Sequence, residues 1–135
     1  MDIKTIAIEN ATSENVAGYG TLIDIEGRQA TAALEDFSFY NELNIIDEGA
    51  PLAVGIVDAK PRALECTSFE RHQQTTETLL PLDGDVVLAV AKPTKDAYPS
   101  PDEVRAFRVK QGQGITLDRG TWHYAPYVEG NKHVR

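Results

Sequence analysis

Glu70-Arg71-His72-Gln73-Gln74-Thr75-Thr76-Glu77 leads through Leu79-Leu80-Pro81-Leu82-Asp83-Gly84 into Val86-Val87-Leu88-Ala89-Val90-Ala91, and the fold is read from this stretch. Its first half gathers two carboxylates, an arginine and a histidine. Glu70 and His72 are two residues apart, so on a strand they share a face, with Phe69 and Arg71 opposite. Asp83-Gly84-Asp85 reads as a tight turn, with Gly84 at a position suited to positive φ. The run Val86 to Ala91 is continuously apolar and predicts a buried strand.

The segments around this stretch carry the same signal. Strands are expected at Ile3 to Ile8, Thr21 to Ile25, Leu52 to Val57, Leu64 to His72, Thr76 to Leu80, Ile115 to Leu117 and Trp122 to Tyr124. Val104 to Val109 alternates: Val104, Ala106 and Arg108 share one face, and Arg105, Phe107 and Val109 the other. Ser13 to Ala17 is expected to form a brief helical turn, and Lys92 to Glu103 a surface loop. Thr31 to Ile46 reads either as strand, through Phe37, Phe39 and Ile45, or as a short helix starting at Ala32. Another strand is expected to begin at Val134, close to the last residue, Arg135. Short strands separated by turn residues predict an all-β antiparallel sandwich or barrel, and residues 1–135 read as one domain.

Composition narrows the function. The formal net charge of −8 argues against nucleic acid and anionic membranes as partners, since both select clustered Lys and Arg. A small anionic substrate needs only one or two local cations and stays open. No apolar run approaches a membrane span, and Met1 to Ile6 lacks the basic start and apolar core of a signal peptide. Cys66 is the single cysteine, so no internal disulfide forms and a reducing, cytoplasmic setting is expected. Cys66 itself reads as a small apolar residue.

The spacing of the ionisable groups then points to a site. Glu77 follows His72 by five positions and Gly84 follows Glu77 by seven; later come Gly112, Asp118, Gly120 and His123. This resembles the paired motifs of the cupin superfamily. His72, Glu77 and His123 fall on three of the four ligand positions. Glu70 stands where the first histidine is usual, and Asp118 where a proline is usual. Mixed imidazole and carboxylate suits Zn²⁺, Mn²⁺, Fe²⁺ or Ni²⁺, so His72, Glu77 and His123 are candidate metal ligands. A metal-free cavity in which the same groups act as acid and base is an equally good reading.

A closer resemblance is to the ureidoglycolate lyase family. It rests on Tyr19-Gly20 with Leu22-Ile23, Glu70-Arg71-His72, Thr76-Glu77, Leu79 to Gly84, Val86 to Ala91, Arg105-Ala106-Phe107, Gly112-Gln113-Gly114 and Gly120-Thr121-Trp122-His123. Together these span about Ala17 to Pro126. The resemblance implies a cupin-type β-barrel of two packed antiparallel sheets, a homodimer, no required cofactor, and cleavage of ureidoglycolate to glyoxylate and urea. The chain departs from the family at Glu77, where glutamine is usual, and at Tyr124, where a second histidine is frequent. Family members also usually continue further than Arg135.

The cleavage asks for a base, an acid and a cation for the substrate carboxylate. His72 and His123 are the acid–base candidates, with Glu70 or Glu77 orienting them or acting as base. Arg71, Arg105, Tyr124 and Trp122 are candidates for substrate binding. Arg71 is expected to face away from Glu70 and His72, with Arg105 and Arg108 as alternatives. Each residue also has a structural reading: ion-pair partners for Glu70, Arg71 and Arg105, solvation for Glu77, and packing for Trp122, Tyr124 and Tyr19. Two other functions stand beside the lyase: another metal-dependent cupin enzyme acting on a small organic acid, and a non-catalytic small-molecule-binding cupin.

Overall fold

The computed structural model describes residues 3–135. Met1 and Asp2, the start of the segment read for a signal peptide, lie outside them. The chain is all-β. β1 (Ile8–Asn10), β7 (Arg105–Val109) and β6 (Val86–Val90) form one sheet in the order β1-β7-β6, and β2 (Gly20–Ile23), β8 (Gly114–Leu117) and β5 (Glu77–Leu79) form a second in the order β2-β8-β5. β1 runs parallel to β7; the other pairs in these sheets are antiparallel. A two-residue ladder of β3 (Ala32–Ala33) and β4 (Ser38–Phe39) stands apart. No helix of the described residues is long and apolar enough to cross a membrane.

β6 explains why the layers close. All five of its residues are buried, as the unbroken apolar run predicts. Val86, Leu88 and Val90 enter the main core with Phe107 and Val109 of β7, Ile115 and Leu117 of β8, and Leu22 of β2. Val87 and Ala89 point the other way, against Tyr127 and Trp122 respectively. Each such Val or Leu contributes about 1.5–3 kcal/mol when fully buried. The alternation of β7 holds as well: Phe107 and Val109 are core, while Arg108 pairs with Glu129 through two bonds of 2.5 and 2.8 Å. The cupin-like β-sandwich inferred from the sequence is the observed architecture.

Isolated bridges carry this framework to the site. Ala91 pairs with Trp122, Val87 with Tyr127, and Glu70 with His123. The segment from Trp122 to Tyr127 therefore lies along β6 and meets Glu70 on its far side.

Several expected elements are corrected. Leu52 to Val57 forms no strand; it is exposed throughout, Val54 to 98%. β propensity needs a neighbouring strand to satisfy the backbone, and none of the described segments pairs with this one. Leu64 to His72 contributes only the bridge at Glu70, because the chain then bends through Gln73 to Thr75. Trp122 to Tyr124 pairs at Trp122 and His123 but not at Tyr124. Between Thr31 and Ile46 no helix forms, and the strand reading holds only in part: Phe39 lies in β4, Phe37 and Ile45 lie outside any strand, and Ala32–Ala33 form β3, with a bend at Glu35 and Asp36 between the two. The turn near Ser13 is a run of hydrogen-bonded turns rather than a helix, opened by Thr12, whose hydroxyl accepts from Asn15 N–H at 3.0 Å. Val134 makes a single bridge to Ala59. Gly84 does not adopt positive φ. A Cβ there would stand 2.8 Å from a Val134 methyl, so close approach explains the glycine.

Gly20 is the tightest backbone approach between strands: a Cβ would lie 2.1 Å from the Thr116 carbonyl oxygen of β8. Gly20→Ala is expected to lower unfolding free energy by about 1–3 kcal/mol in urea titration. Gly55→Ala, with open space around it, is expected to change it by less than about 0.5 kcal/mol.

Candidate functional site

The strand pairings bring four ionisable side chains together. Glu77 is the first residue of β5, opposite Leu117 of β8. His123 is held by reciprocal backbone bonds with Glu70, at 2.7 and 2.9 Å. His72 follows two residues after Glu70, and its carbonyl accepts from Gly120 N–H at 2.8 Å. As a result His123 Nε2 lies 2.8 Å from Glu77 Oε2 and 3.7 Å from Glu70 Oε1, and His72 Nε2 lies 3.4 Å from Glu77 Oε2. The two imidazole rings are 5.2 Å apart between centroids.

The innermost contact is chemically unusual. His123 Nδ1 is 2.9 Å from the Thr121 carbonyl oxygen. A carbonyl only accepts, so Nδ1 carries a proton, and neutral His123 would turn a lone pair toward Glu77. Glu77 Oε2 and His123 Nε2 are both buried, and neither makes an aligned hydrogen bond despite their short separation. Two acceptors at that distance repel, so a positive charge belongs between or on them: a proton making His123 imidazolium, or a cation. Burial opposes charge on His123, but the Glu77 carboxylate, the Thr121 carbonyl and Glu70 outweigh it and raise the pKa above 6.5. The imidazole of His123, 2.8 Å away, chiefly holds Glu77 below 4.5, against burial and with help from His72.

The donors also fit a metal. Ligand atoms of Glu70, His72 and His123 all lie within 4.8 Å of one another, and the two unsatisfied buried atoms border the same group. Imidazole with carboxylate is a donor set for divalent transition metals. Glu70 thus joins the cluster from the position where cupins carry a histidine.

Arg71 leaves the cluster, as strand alternation predicts. Its guanidinium lies 4.0 Å over the Trp122 ring and donates to the Thr94 carbonyl at 2.6 Å. Trp122 is buried, and its indole N–H donates to Thr94 Oγ1 at 3.1 Å. Arg71 nonetheless lines an open cavity of about 620 Å³ together with His72, Gln73, Gln74 and Thr75. Arg105 does not line it and bonds the carbonyls of Asp102 and Val104, both at 3.0 Å. Tyr124 is exposed. Tyr19 packs edge-on against Phe107.

The sequence pattern of the family described as ureidoglycolate lyase matches residues 3–133. This chain belongs to the ureidoglycolate lyase family. Among similar relatives, the ureidoglycolate lyase of Stutzerimonas stutzeri is 31% identical over 128 residues, covering 90% of this chain and 75% of the relative. Those of Burkholderia mallei and Pseudomonas putida are each 30% identical over 128 residues, with 90% of this chain covered and 74% and 76% of the relatives.

Sequence reasoning missed Thr121, which sets the His123 tautomer through a backbone carbonyl and so leaves no side-chain signal. It also missed Glu48 and Arg119, which bond each other at 3.0 Å beside the site.

The opposed shifts give a pH window. Glu77 contributes stability above its ordinary value of 4.5 and loses it as pH falls through its lowered folded pKa. His123 contributes fully below 6.5 and loses it as pH rises through its raised folded pKa. In metal-free protein, side-chain NMR is expected to place the His123 midpoint above 6.5, and Glu77→Gln to lower it. A midpoint at or below 6.5 contradicts the pairing.

Proposed function

We propose that this chain is a carbon–nitrogen lyase that cleaves ureidoglycolate to glyoxylate and urea, with Glu70, His72, Glu77 and His123 as its reacting centre. The observation that carries the reading is the convergence of these four groups, of which His72 also lines an open surface pocket, in a chain of this family. The alternatives, another metal-dependent cupin enzyme or a non-catalytic binding protein, have no observation that favours them.

The reaction is a retro-addition. The carbinol O–H loses its proton as its oxygen becomes the aldehyde oxygen of glyoxylate. The C–N electron pair leaves with the urea nitrogen, which takes up a proton. His72 is the histidine that lines the cavity, with 44% of its side chain exposed, and is assigned the proton exchange with substrate. Glu70, 55% exposed, stands beside it as the second carboxylate able to take the hydroxyl proton. Glu77 lies against both imidazoles, at 2.8 Å from His123 and 3.4 Å from His72, and favours the charged form of His123. His123 supplies the buried positive charge that balances Glu77 and the negative charge gathered during cleavage. Arg71, stacked on Trp122 at the cavity wall, is the proposed cation for the substrate carboxylate. Glu70, His72 and His123 would hold a divalent ion, with Glu77 adjacent; when bound it would supply Lewis-acid polarisation of the substrate oxygen.

A homodimer is part of the proposal. Leu52, Val54, Ile56 and Val57 are 48–98% exposed within one short segment, and Leu34, Phe37, Phe39 and Ile45 are also at least half exposed; apolar side chains this exposed are candidates for burial against a second copy. Sedimentation velocity is expected to show a dimer that Val54→Lys weakens. A monomer at all concentrations contradicts it.

Purified protein is expected to release urea and glyoxylate in equal amounts from ureidoglycolate. His72→Ala and His123→Ala are expected to lower kcat/KM by about 10²–10⁴-fold. Ammonia in place of urea, or full activity in either variant, overturns the assignment.

A further inference from the structure

Glu48 sits in an exposed run. Ile45, Ile46 and Asp47 before it are on the surface, yet its own side chain is only 5% exposed. A buried carboxylate requires donors, and Glu48 has them on both oxygens. Oε1 accepts from the backbone N–H of Thr76 at 3.0 Å and from the Thr76 hydroxyl. Oε2 accepts from the Arg119 guanidinium at 3.0 Å. Arg119 in turn donates through Nε to the Gln74 carbonyl at 3.1 Å, and the neighbouring Gly120 N–H donates to the His72 carbonyl at 2.8 Å.

These bonds join two short stretches that matter. Residues 72–76 connect His72 to Glu77. Residues 118–120 lead into His123. We infer that Glu48 is a positioning residue: its carboxylate locks Thr76 and Arg119 together and thereby sets the separation of Glu77, His72 and His123. The inference rests on the roles proposed above for those three residues.

The chemistry follows from the attachment point. Thr76 immediately precedes Glu77, so the backbone torsions at Thr76 aim the Glu77 carboxylate. Glu48 satisfies the amide there and holds the hydroxyl on the same oxygen. Without Glu48, the Thr76 amide loses its acceptor, Arg119 loses its charge partner, and the bends at Gln73 to Thr75 are tied only through Arg119 to Gln74 and Gly120 to His72. Displacing a reacting group by 1 Å costs on the order of 10²-fold in rate. Glu48 stands outside the Glu70, His72, Glu77 and His123 group, so its carboxylate does not itself meet the reacting atoms.

The test compares Glu48→Ala, Glu48→Gln and, as control, Asp83→Asn, which cuts the 2.9 Å pair of Asp83 with Arg135 at the surface. Each is assayed for kcat, KM and Tm, and the ring resonances of His72 and His123 are recorded by NMR. Glu48→Ala is expected to lower kcat by about 10–100-fold, and to shift both sets of ring resonances. Glu48→Gln retains an acceptor for Thr76 and is expected to fall between Glu48→Ala and the wild type. Asp83→Asn is expected to lower Tm while kcat and the rings stay as in the wild type. A lowered Tm with wild-type kcat and unmoved ring resonances in Glu48→Ala overturns the inference. If Glu48→Ala does not fold, wild-type kcat and ring resonances in Glu48→Gln overturn it. If the wild type itself does not cleave ureidoglycolate, the proposed activity falls, and the ring resonances alone then decide the role of Glu48.

Discussion

The organising constraint of the site is one buried contact, His123 Nε2 against Glu77 Oε2 at 2.8 Å. Neither atom reaches solvent or an aligned hydrogen bond. Burying a carboxylate unpaired costs several kcal/mol, and burying an imidazolium costs likewise. The fold must therefore bring these two groups together from segments far apart in sequence, and it must put positive charge where they meet. Thr121 fixes which nitrogen of His123 carries the structural proton. The other nitrogen is left for the carboxylate, a proton or a metal ion.

The two sheets achieve this by register. β5 pairs with β8 so that Glu77 stands opposite Leu117, and the chain leaving β8 turns at Gly120 and returns along β6 through Trp122. His123 then pairs with Glu70. Each of these placements depends on the core that β6 anchors: Leu88 and Val90 with Phe107, Ile115 and Leu117. A site built on paired backbone is positioned more tightly than one built on loops alone. The exception is the stretch from Gln73 to Thr75, which bends and borders the open cavity. The Glu48 and Arg119 bonds are attached to that stretch.

The legible parts of the sequence were those where burial and pairing coincide. The apolar run of β6 and the alternation of β7 report their own packing, so both were readable residue by residue. The convergence of His72, Glu77 and His123 was readable through the resemblance to the paired cupin motifs, which places these three residues on ligand positions. Leu52 to Val57 looked like a strand because propensity does not reveal whether a partner strand exists. Gly84 lies in the expected bend before β6 but without positive φ; the Val134 side chain that explains the glycine lies fifty positions away in the chain. Glu48 gave no signal for the same reason: its partners Thr76 and Arg119 are distant in sequence, and a carboxylate in a polar run reads as solvated. Arg71 was legible in direction, away from His72, while its stacking on Trp122 was not.

In the proposed reaction Glu77 and His123 act as one unit. A double-mutant cycle of kcat/KM with Glu77→Gln, His123→Ala and the combined variant measures this directly. Predicted is strong non-additivity: the combined variant is no slower than the slower single variant, because either change already dismantles the pair. Losses that multiply would show that the two residues act independently and would contradict the account.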